Sequence, residues 1–433
     1  MPAVDSSSLN PGVRRREVFG WAMYDFANSG YTTVVLTAVF NAYFVGVVAD
    51  GAVWGTLAWA GTLALSNALV MLTMPGLGAY ADRYACKKRL LLLSTIGCVA
   101  GTTALFFVGP GDLWIAVPAI VLSNLCFAYG DWLIASFLPE LARPNALGRV
   151  SGWGWSFGYG GGMLTLGLGL AYVLWAQGQG LPATHFVPVT MLITAVVYAL
   201  ACLPTFMLLK ERAQPQPSAA TGRGLREALA QLARTWRVAR RFDDYCWLLA
   251  CAVAYQAGIA VVIALAAVYA EQVLGFEQTE TMMLIFLVNI AAAVGAFGFG
   301  YFQDRVGHRP ALAITLVGWI VMTLLAVVAT TKPVFWVAAV IAGLCMGSSQ
   351  SAGRAMAGYL APQARRAEFF GLWTFAVRLS SIIGPLCYGL VTLITAGNHR
   401  IAIMSTGVFF VVGLLLLMRV NMTRGREAAL QSP

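Results

Sequence analysis

Charge is scarce in this chain. Lys, Arg, Asp and Glu make up 11% of its 433 residues, against about 25% in soluble domains. A soluble core could not hide a sequence that is 59% hydrophobic, so an ordinary globular enzyme or binding domain is excluded. Histidine is nearly absent, with three residues, and the eight cysteines are scattered without a C-x-x-C pair. That set builds neither a metal centre nor a disulfide framework. No nucleophile–base pair stands out, so neither an enzyme nor a cofactor is expected. A short cleavable leader is not expected either, because the first apolar run is too long and has no small-residue cleavage site.

What the chain has is apolar length. Windows at 18–48, 52–80, 90–109, 113–138, 149–175, 186–209, 245–270, 279–302, 311–330, 333–358, 367–395 and 400–420 each reach the roughly 18–20 residues that cross a bilayer. The expected fold is an all-α membrane protein with twelve transmembrane helices. The net charge of +10 would suit nucleic acid, but its placement points elsewhere. Arg14–Arg16 precede helix 1, Arg83, Lys87 and Lys88 follow helix 2, and Arg143 and Arg149 follow helix 4. Arg305 and Arg309 follow helix 8, Arg365 and Arg366 follow helix 10, and Arg419, Arg424 and Arg426 close the chain. The opposite loops hold Lys332 and Arg400. This is the positive-inside bias. It predicts an inner (plasma) membrane protein with both termini cytoplasmic, and no nucleic-acid partner.

The chain also repeats itself. Gly78-Ala79-Tyr80-Ala81-Asp82-Arg83 ends one apolar run, and Gly300-Tyr301-Phe302-Gln303-Asp304-Arg305 ends another half a chain later. Internal pseudo-symmetry is the usual build of a secondary transporter. The expected division is a six-helix bundle over 1–209, a cytoplasmic linker over 210–244 and a second six-helix bundle over 245–433. Within the linker, Leu225, Leu229, Leu232 and Trp236 recur at helical spacing opposite several arginines, as in a helix lying on an anionic leaflet. Helix 5 is rich in glycine, and Gly154, Gly158 and Gly162 fall on one face, where another helix could approach closely.

The paired turns resemble the signature of the major facilitator superfamily (MFS), in which a glycine precedes Asp-Arg and basic residues follow. The first copy offers Gly78, Asp82, Arg83, Lys87 and Lys88, with Ala85 and Cys86 where a glycine is expected. The second offers Gly300, Asp304, Arg305, Gly307 and Arg309. The resemblance implies two bundles and a gating latch in which the carboxylate meets a neighbouring helix N-terminus or an arginine. Glu140 and Glu368, beside the basic turns, could complete that latch or stand as solvated helix-end charges. A narrower resemblance lies in Trp21-Ala22-Met23-Tyr24-Asp25-Phe26-Ala27-Asn28-Ser29, Phe137-Leu138-Pro139-Glu140-Leu141 and Ala367-Glu368-Phe369-Phe370-Gly371. These are similar to the UMF1 family, bacterial relatives of the yeast Atg22 vacuolar amino-acid effluxers. The chain departs from that family at Ile134-Ala135, where an aromatic-Asn pair is usual. Gly154 through Gly162 also partly resembles the antiporter motif of drug exporters, with Tyr159 in place of its proline.

Polar groups at membrane depth are costly and mark function. Asp25, Asn28 and Thr32 share a face of helix 1 by i, i+3, i+7 spacing, and Asp131 reaches a similar depth on helix 4. In the superfamily, helices 1, 4, 7 and 10 line the cavity, which adds Tyr255, Gln256, Gln350 and Arg354. Asn289 and Arg378 fall near mid-membrane, and Trp155 and Trp373 occupy related places on helices 5 and 11. Arg378 could hold a substrate carboxylate, and Asp25 or Asp131 a coupling proton. The competing reading is an ion pair of Asp25 or Asp131 with Arg378 that only locks helices. The family resemblance implies export of a small polar or zwitterionic, amino-acid-like solute, and a monomer is expected. An exporter of amphipathic drugs or metabolites and a lipid flippase or scramblase are the alternatives.

Overall fold

The computed structural model describes residues 8–50, 55–215, 233–276, 278–395 and 398–431. It is 88% helix, with no strand among the described residues. In chain order the helices are α1 (Arg15–Val48), α2 (Gly55–Tyr84), α3 (Lys87–Ala104), α4 (Leu113–Ser136), α5 (Leu147–Gly178) and α6 (Ala183–Leu208). The second series is α7 (Asp243–Leu274), α8 (Gln278–Val306), α9 (His308–Val328), α10 (Lys332–Leu360), α11 (Arg366–Ile394) and α12 (His399–Leu417), closed by a short α13 (Met422–Gln431). Among the described residues eleven helices are long and apolar enough to cross a membrane, or twelve if α2 is one span. Its two parts, Gly61–Met74 and Gly76–Tyr84, meet at 44°. Pro75 lies at the bend and has no N–H to give the helix ladder.

Two compact units emerge. One holds Met1–Leu141 with Phe157–Thr221, the other Ala142–Ser156 with Gly222–Pro433. The first turns of α5 therefore pack within the second unit. Of the linker helix read from the sequence, Leu225, Leu229 and Leu232 lie outside the described residues. Residues 233–239 are helical, with Trp236 43% exposed.

Each unit is built from the same close contacts. A Cβ added to Gly130 of α4 would lie 2.2 Å from the Tyr24 hydroxyl of α1, and one on Gly353 of α10 would lie 2.2 Å from the Tyr255 hydroxyl of α7. Gly97 faces the Cys126 sulfur as Gly318 faces that of Cys345. Gly161 of α5 meets the backbone oxygen of Phe26, and Gly384 of α11 that of Ala257, with Cβ positions 2.1 and 2.2 Å away. Lipid tails are as apolar as side chains, so such helices associate through close packing, and small residues permit it.

The ends of each unit are stapled alike. Glu17, at the start of α1, pairs with Arg212 after α6 at 2.8 Å, and Asp244, at the start of α7, pairs with Arg424 after α12 at 2.8 Å. Both carboxylates are buried and both arginines are partly exposed. The first unit adds a fully buried pair, Lys87 with Glu140. The other Glu140 oxygen accepts the Arg212 N–H at 3.0 Å. Glu140 is thus an internal strut between α3 and the end of α4 rather than a solvated charge. Next to it Glu211 caps α3, accepting the N–H groups of Lys87 and Lys88 at 2.6 and 3.1 Å. Burial pushes the Glu211 carboxyl above its ordinary value despite those bonds.

Candidate functional site

In the first unit the polar groups of α1 diverge. Asp25 is 7% exposed and Asn28 4%. Asn28 turns to α6, where its Oδ1 accepts from the Tyr198 hydroxyl at 2.8 Å. Tyr198 in turn lies against Tyr24, which bonds Thr95 of α3 at 2.9 Å. The result is a buried neutral network of phenols, a hydroxyl and an amide. The Asn28 Nδ2 within it has no hydrogen-bond partner. A buried polar atom left unpaired costs about 1–3 kcal/mol unless something else satisfies it. Thr32 bonds back to Ser29 O at 3.1 Å and opens a π-helical stretch, Thr32–Ala38. Wide turns of this kind interrupt the regular helix, often at functional positions. About two turns beyond Tyr24 the polarity continues as hydroxyls, Tyr31 with Ser123 at 2.8 Å. Asn124 beside it bonds Ser66 of α2 at 3.0 Å. Asp131 is half-buried on α4.

In the second unit, Gln256 of α7 and Gln350 of α10 pair directly, amide to amide, at 2.7 Å. Gln256 is 4% exposed and the Tyr255 ring is fully buried. Arg354 is 5% exposed. Its guanidinium donates to Ser151 Oγ at 3.1 Å and Ser151 O at 2.9 Å. It lies over the Trp155 ring at 5.4 Å. Ser151 itself donates to Ser351 O at 2.9 Å. Arg354 is therefore a clamp on the first turns of α5, and Trp155 is part of that clamp. Arg378 is half-buried on α11. Asn289 bonds its own helix at Ile285 O, beside the exposed Ile285, Phe286 and Ile290. Trp373 packs over Gly353 with Tyr255.

The second Gly-Asp-Arg turn can be read residue by residue. A Cβ on Gly300 would lie 2.7 Å from Gly148 O, so glycine lets α8 touch the start of α5. The Tyr301 hydroxyl accepts from Trp153 at 3.2 Å, and its ring carries the Arg149 guanidinium. Gln303 pairs with His308 at 2.7 Å. Asp304 accepts the N–H groups of Gly148 and Arg149 at 3.0 and 3.1 Å and the Arg149 Nε at 3.3 Å. A carboxylate at the positive end of a helix dipole is favourable, and more so when buried, as Asp304 is. Arg305 is exposed. In the first copy Gly78 and Asp82 are buried at the end of α2. Where Gly307 takes φ +94°, Ala85 takes φ +47°, so the position without glycine keeps the left-handed backbone that glycine favours. Glu368 accepts from Thr235 at 2.5 Å, with Arg365 3.8 Å away.

Solved structures share this fold along nearly its whole length. The human organic anion transporter MFSD10 (TETRAN) superposes with a TM-score of 0.75 over 93% of this chain and 99% of its own, at 17% identity. The MFS proton:xylose symporter XylE superposes with a TM-score of 0.72 over 95% and 96%, at 11% identity. The shared fold is that of the major facilitator superfamily, and the sequence matches place the chain in that class as a multi-pass transporter. Its family follows from sequence. The profile described as "Vacuole effluxer Atg22 like" matches residues 60–430, and the chain belongs to that family. The MFS-type transporter YxiO of Bacillus subtilis (strain 168) is 25% identical over 92% of this chain and 93% of its own. Autophagy-related protein 22 of Cryptococcus neoformans is 29% identical, over 38% of this chain and about a third of its own length.

Three features of these units escaped the sequence reading. They are the twin staples, the Lys87–Glu140 strut and the turn of Asn28 toward α6. A signal existed for the staples. Glu17 and Asp244 open the first helix of each half, and Arg212 and Arg424 follow the last.

Proposed function

We propose that the chain is a secondary active transporter that exports a small zwitterionic, amino-acid-like solute by alternating access, coupled to protons. The observation that carries this reading is the division of charge at membrane depth. Asp25 and Asp131 belong to the first unit, and Arg354 and Arg378 to the second. Carboxylates suit an ammonium and guanidiniums suit a carboxylate, the two charges that a zwitterion carries. The substrate carboxylate is assigned to Arg378, half-buried on α11, whose planar fork suits it. Asp25, a carboxylate 7% exposed within α1, is assigned the coupling proton. Asn28, Thr32, Tyr255, Gln256, Gln350, Trp155 and Asn289 supply neutral polar or aromatic surroundings. The halves 1–209 and 245–433, joined by 210–244, are the moving bodies, acting as a monomer. Asp82, Arg83, Gly78, Asp304, Arg305 and Gly300 latch one access state, with Glu140 and Glu368 beside them.

The testing experiment is a thermal-shift screen of the purified protein against amino acids, sugars and amphipathic drugs, since a ligand that binds the folded state raises its apparent stability. Amino acids should protect, and Arg378→Gln should abolish that protection. Protection by drugs or sugars alone would overturn the substrate assignment. Orientation in the plasma membrane is tested separately. Single cysteines placed at Ser218 and Glu427 should resist an impermeant thiol reagent in intact cells and react after permeabilisation.

A further inference from the structure

At the end of the second unit where α7 begins and α12 stops, an open cavity of about 500 Å³ is lined by Trp247, Leu415, Leu416, Met418 and Arg419. The proposed transport reading does not use it. Its walls face outward from the bundle. Trp247 is 38% exposed, Leu415 58% and Met418 62%. In a membrane protein, apolar side chains exposed on the span meet lipid. The cavity is capped by one cation, Arg419, whose guanidinium lies over the Trp247 ring at 5.8 Å.

We infer that this cavity is a binding site for an anionic phospholipid, its phosphate on Arg419 and its acyl chain along Leu415 and Met418. Three observations point to that occupant. An arginine held over a tryptophan ring, as Arg419 is over Trp247, can still meet a phosphate bidentately. Tryptophan belongs at headgroup depth, with its ring against chains and its N–H toward water. The surrounding charge is complementary. Arg240 and Arg241 are exposed in the turn before α7. Of the acids there, Asp244 is held by Arg424, which leaves the exposed Asp243 as the opposing charge on this stretch. Arg309 lies on the neighbouring helix, where its Nη2 donates to Met418 O at 2.8 Å. That bond fixes the C-terminal turn of α12 and with it the position of Arg419.

The experiment is native mass spectrometry of the purified full-length protein, titrated with phosphatidylglycerol and, separately, with phosphatidylcholine of the same chains. Phosphatidylglycerol should bind more tightly. Arg419→Gln should weaken it by roughly fivefold, the worth of one basic residue at an anionic surface. Trp247→Leu should weaken it less. Arg89→Gln, at an exposed arginine on α3 of the first unit, should leave it unchanged. Inorganic phosphate in millimolar excess should not displace the lipid, because it lacks the chains that Leu415 and Met418 hold. Equal binding of the two lipids, unchanged binding in Arg419→Gln, or displacement by phosphate would each overturn the site. If Arg419→Gln fails to fold, Arg419→Lys keeps the charge but loses the planar stack, and wild-type affinity in that variant would remove the stacked-arginine geometry from the proposal.

Discussion

Asp304 holds Arg149 twice, through the backbone N–H at 3.1 Å and the side-chain Nε at 3.3 Å. The same carboxylate takes the N–H of Gly148. One side chain at the end of α8 therefore caps the start of α5 and neutralises its first arginine. Asp304→Asn keeps the size but loses the charge and turns an amide donor toward backbone donors. The expected result is a loss of about 1–2 kcal/mol in apparent stability, with insertion intact. Transport should slow more than substrate binding weakens, because a latch acts on the balance between access states. Thermal shift and uptake into proteoliposomes measure the two effects. Wild-type turnover in Asp304→Asn would remove the latch role.

The first copy of the turn carries a correctable fault. Ala85 sits at φ +47°, a region that costs an L-residue with a Cβ about 1–2 kcal/mol. Ala85→Gly should raise apparent stability by about 1 kcal/mol, reduced somewhat by glycine's freedom in the unfolded chain. Gly307→Ala in the second copy should destabilise by a similar amount. A melting point lowered by Ala85→Gly would contradict the strained geometry.

Much of the fold could be read from the sequence, because a bilayer demands long apolar helices and because a duplicated Gly-Asp-Arg phrase survives in linear form. The polar interior was less readable. Asp25, Asn28 and Thr32 share a helical face by spacing, yet Asn28 finds Tyr198 of α6, far along the chain. Spacing ranks faces of one helix and says nothing of which neighbour each face meets. Lys87 carried a charge of the sign expected in a loop, and nothing local revealed that Glu140 would bury it. Close contact at Gly161 was missed for a similar reason. The four-residue spacing of Gly154, Gly158 and Gly162 marks one face of α5, and the tightest approach on α5 in the first unit lies at Gly161, one residue before the end of that stripe.

That approach yields a controlled comparison on one helix. A Cβ at Gly161 would stand 2.1 Å from Phe26 O, and at Gly160 it would meet nothing within 4 Å. Gly161→Ala must push α1 and α5 apart and should cost about 1–3 kcal/mol. Gly384→Ala, against Ala257 O, should cost the same. Gly160→Ala should be neutral or slightly stabilising, as alanine favours helix over glycine. Equal melting points for Gly160→Ala and Gly161→Ala would refute the packing.

The Lys87–Glu140 strut should behave as a buried pair. Glu140→Gln leaves a fully buried ammonium without its counter-charge, at a cost of about 3–5 kcal/mol. Replacing both partners by apolar residues of similar size, Lys87→Met with Glu140→Leu, removes the stranded charge and should recover most of that loss. The Arg212 N–H, which Glu140 also accepts, limits the recovery. A double variant less stable than Glu140→Gln would show that the strut does more than balance charge.

Asp25 offers the sharpest test of mechanism. It is a carboxylate 7% exposed within α1. If it carries the coupling proton, Asp25→Asn fixes the neutral state. The carrier can then still reorient with substrate, so exchange across the membrane should persist while proton-driven accumulation disappears. If Asp25 serves as the structural partner of Arg378, the same substitution should lower stability by about 3–5 kcal/mol, and Arg378→Gln added to it should restore stability. Apparent melting temperatures with proton flux in proteoliposomes separate the outcomes. Undiminished proton coupling in Asp25→Asn would end its proton role and pass it to Asp131, the other membrane-depth carboxylate of the first unit.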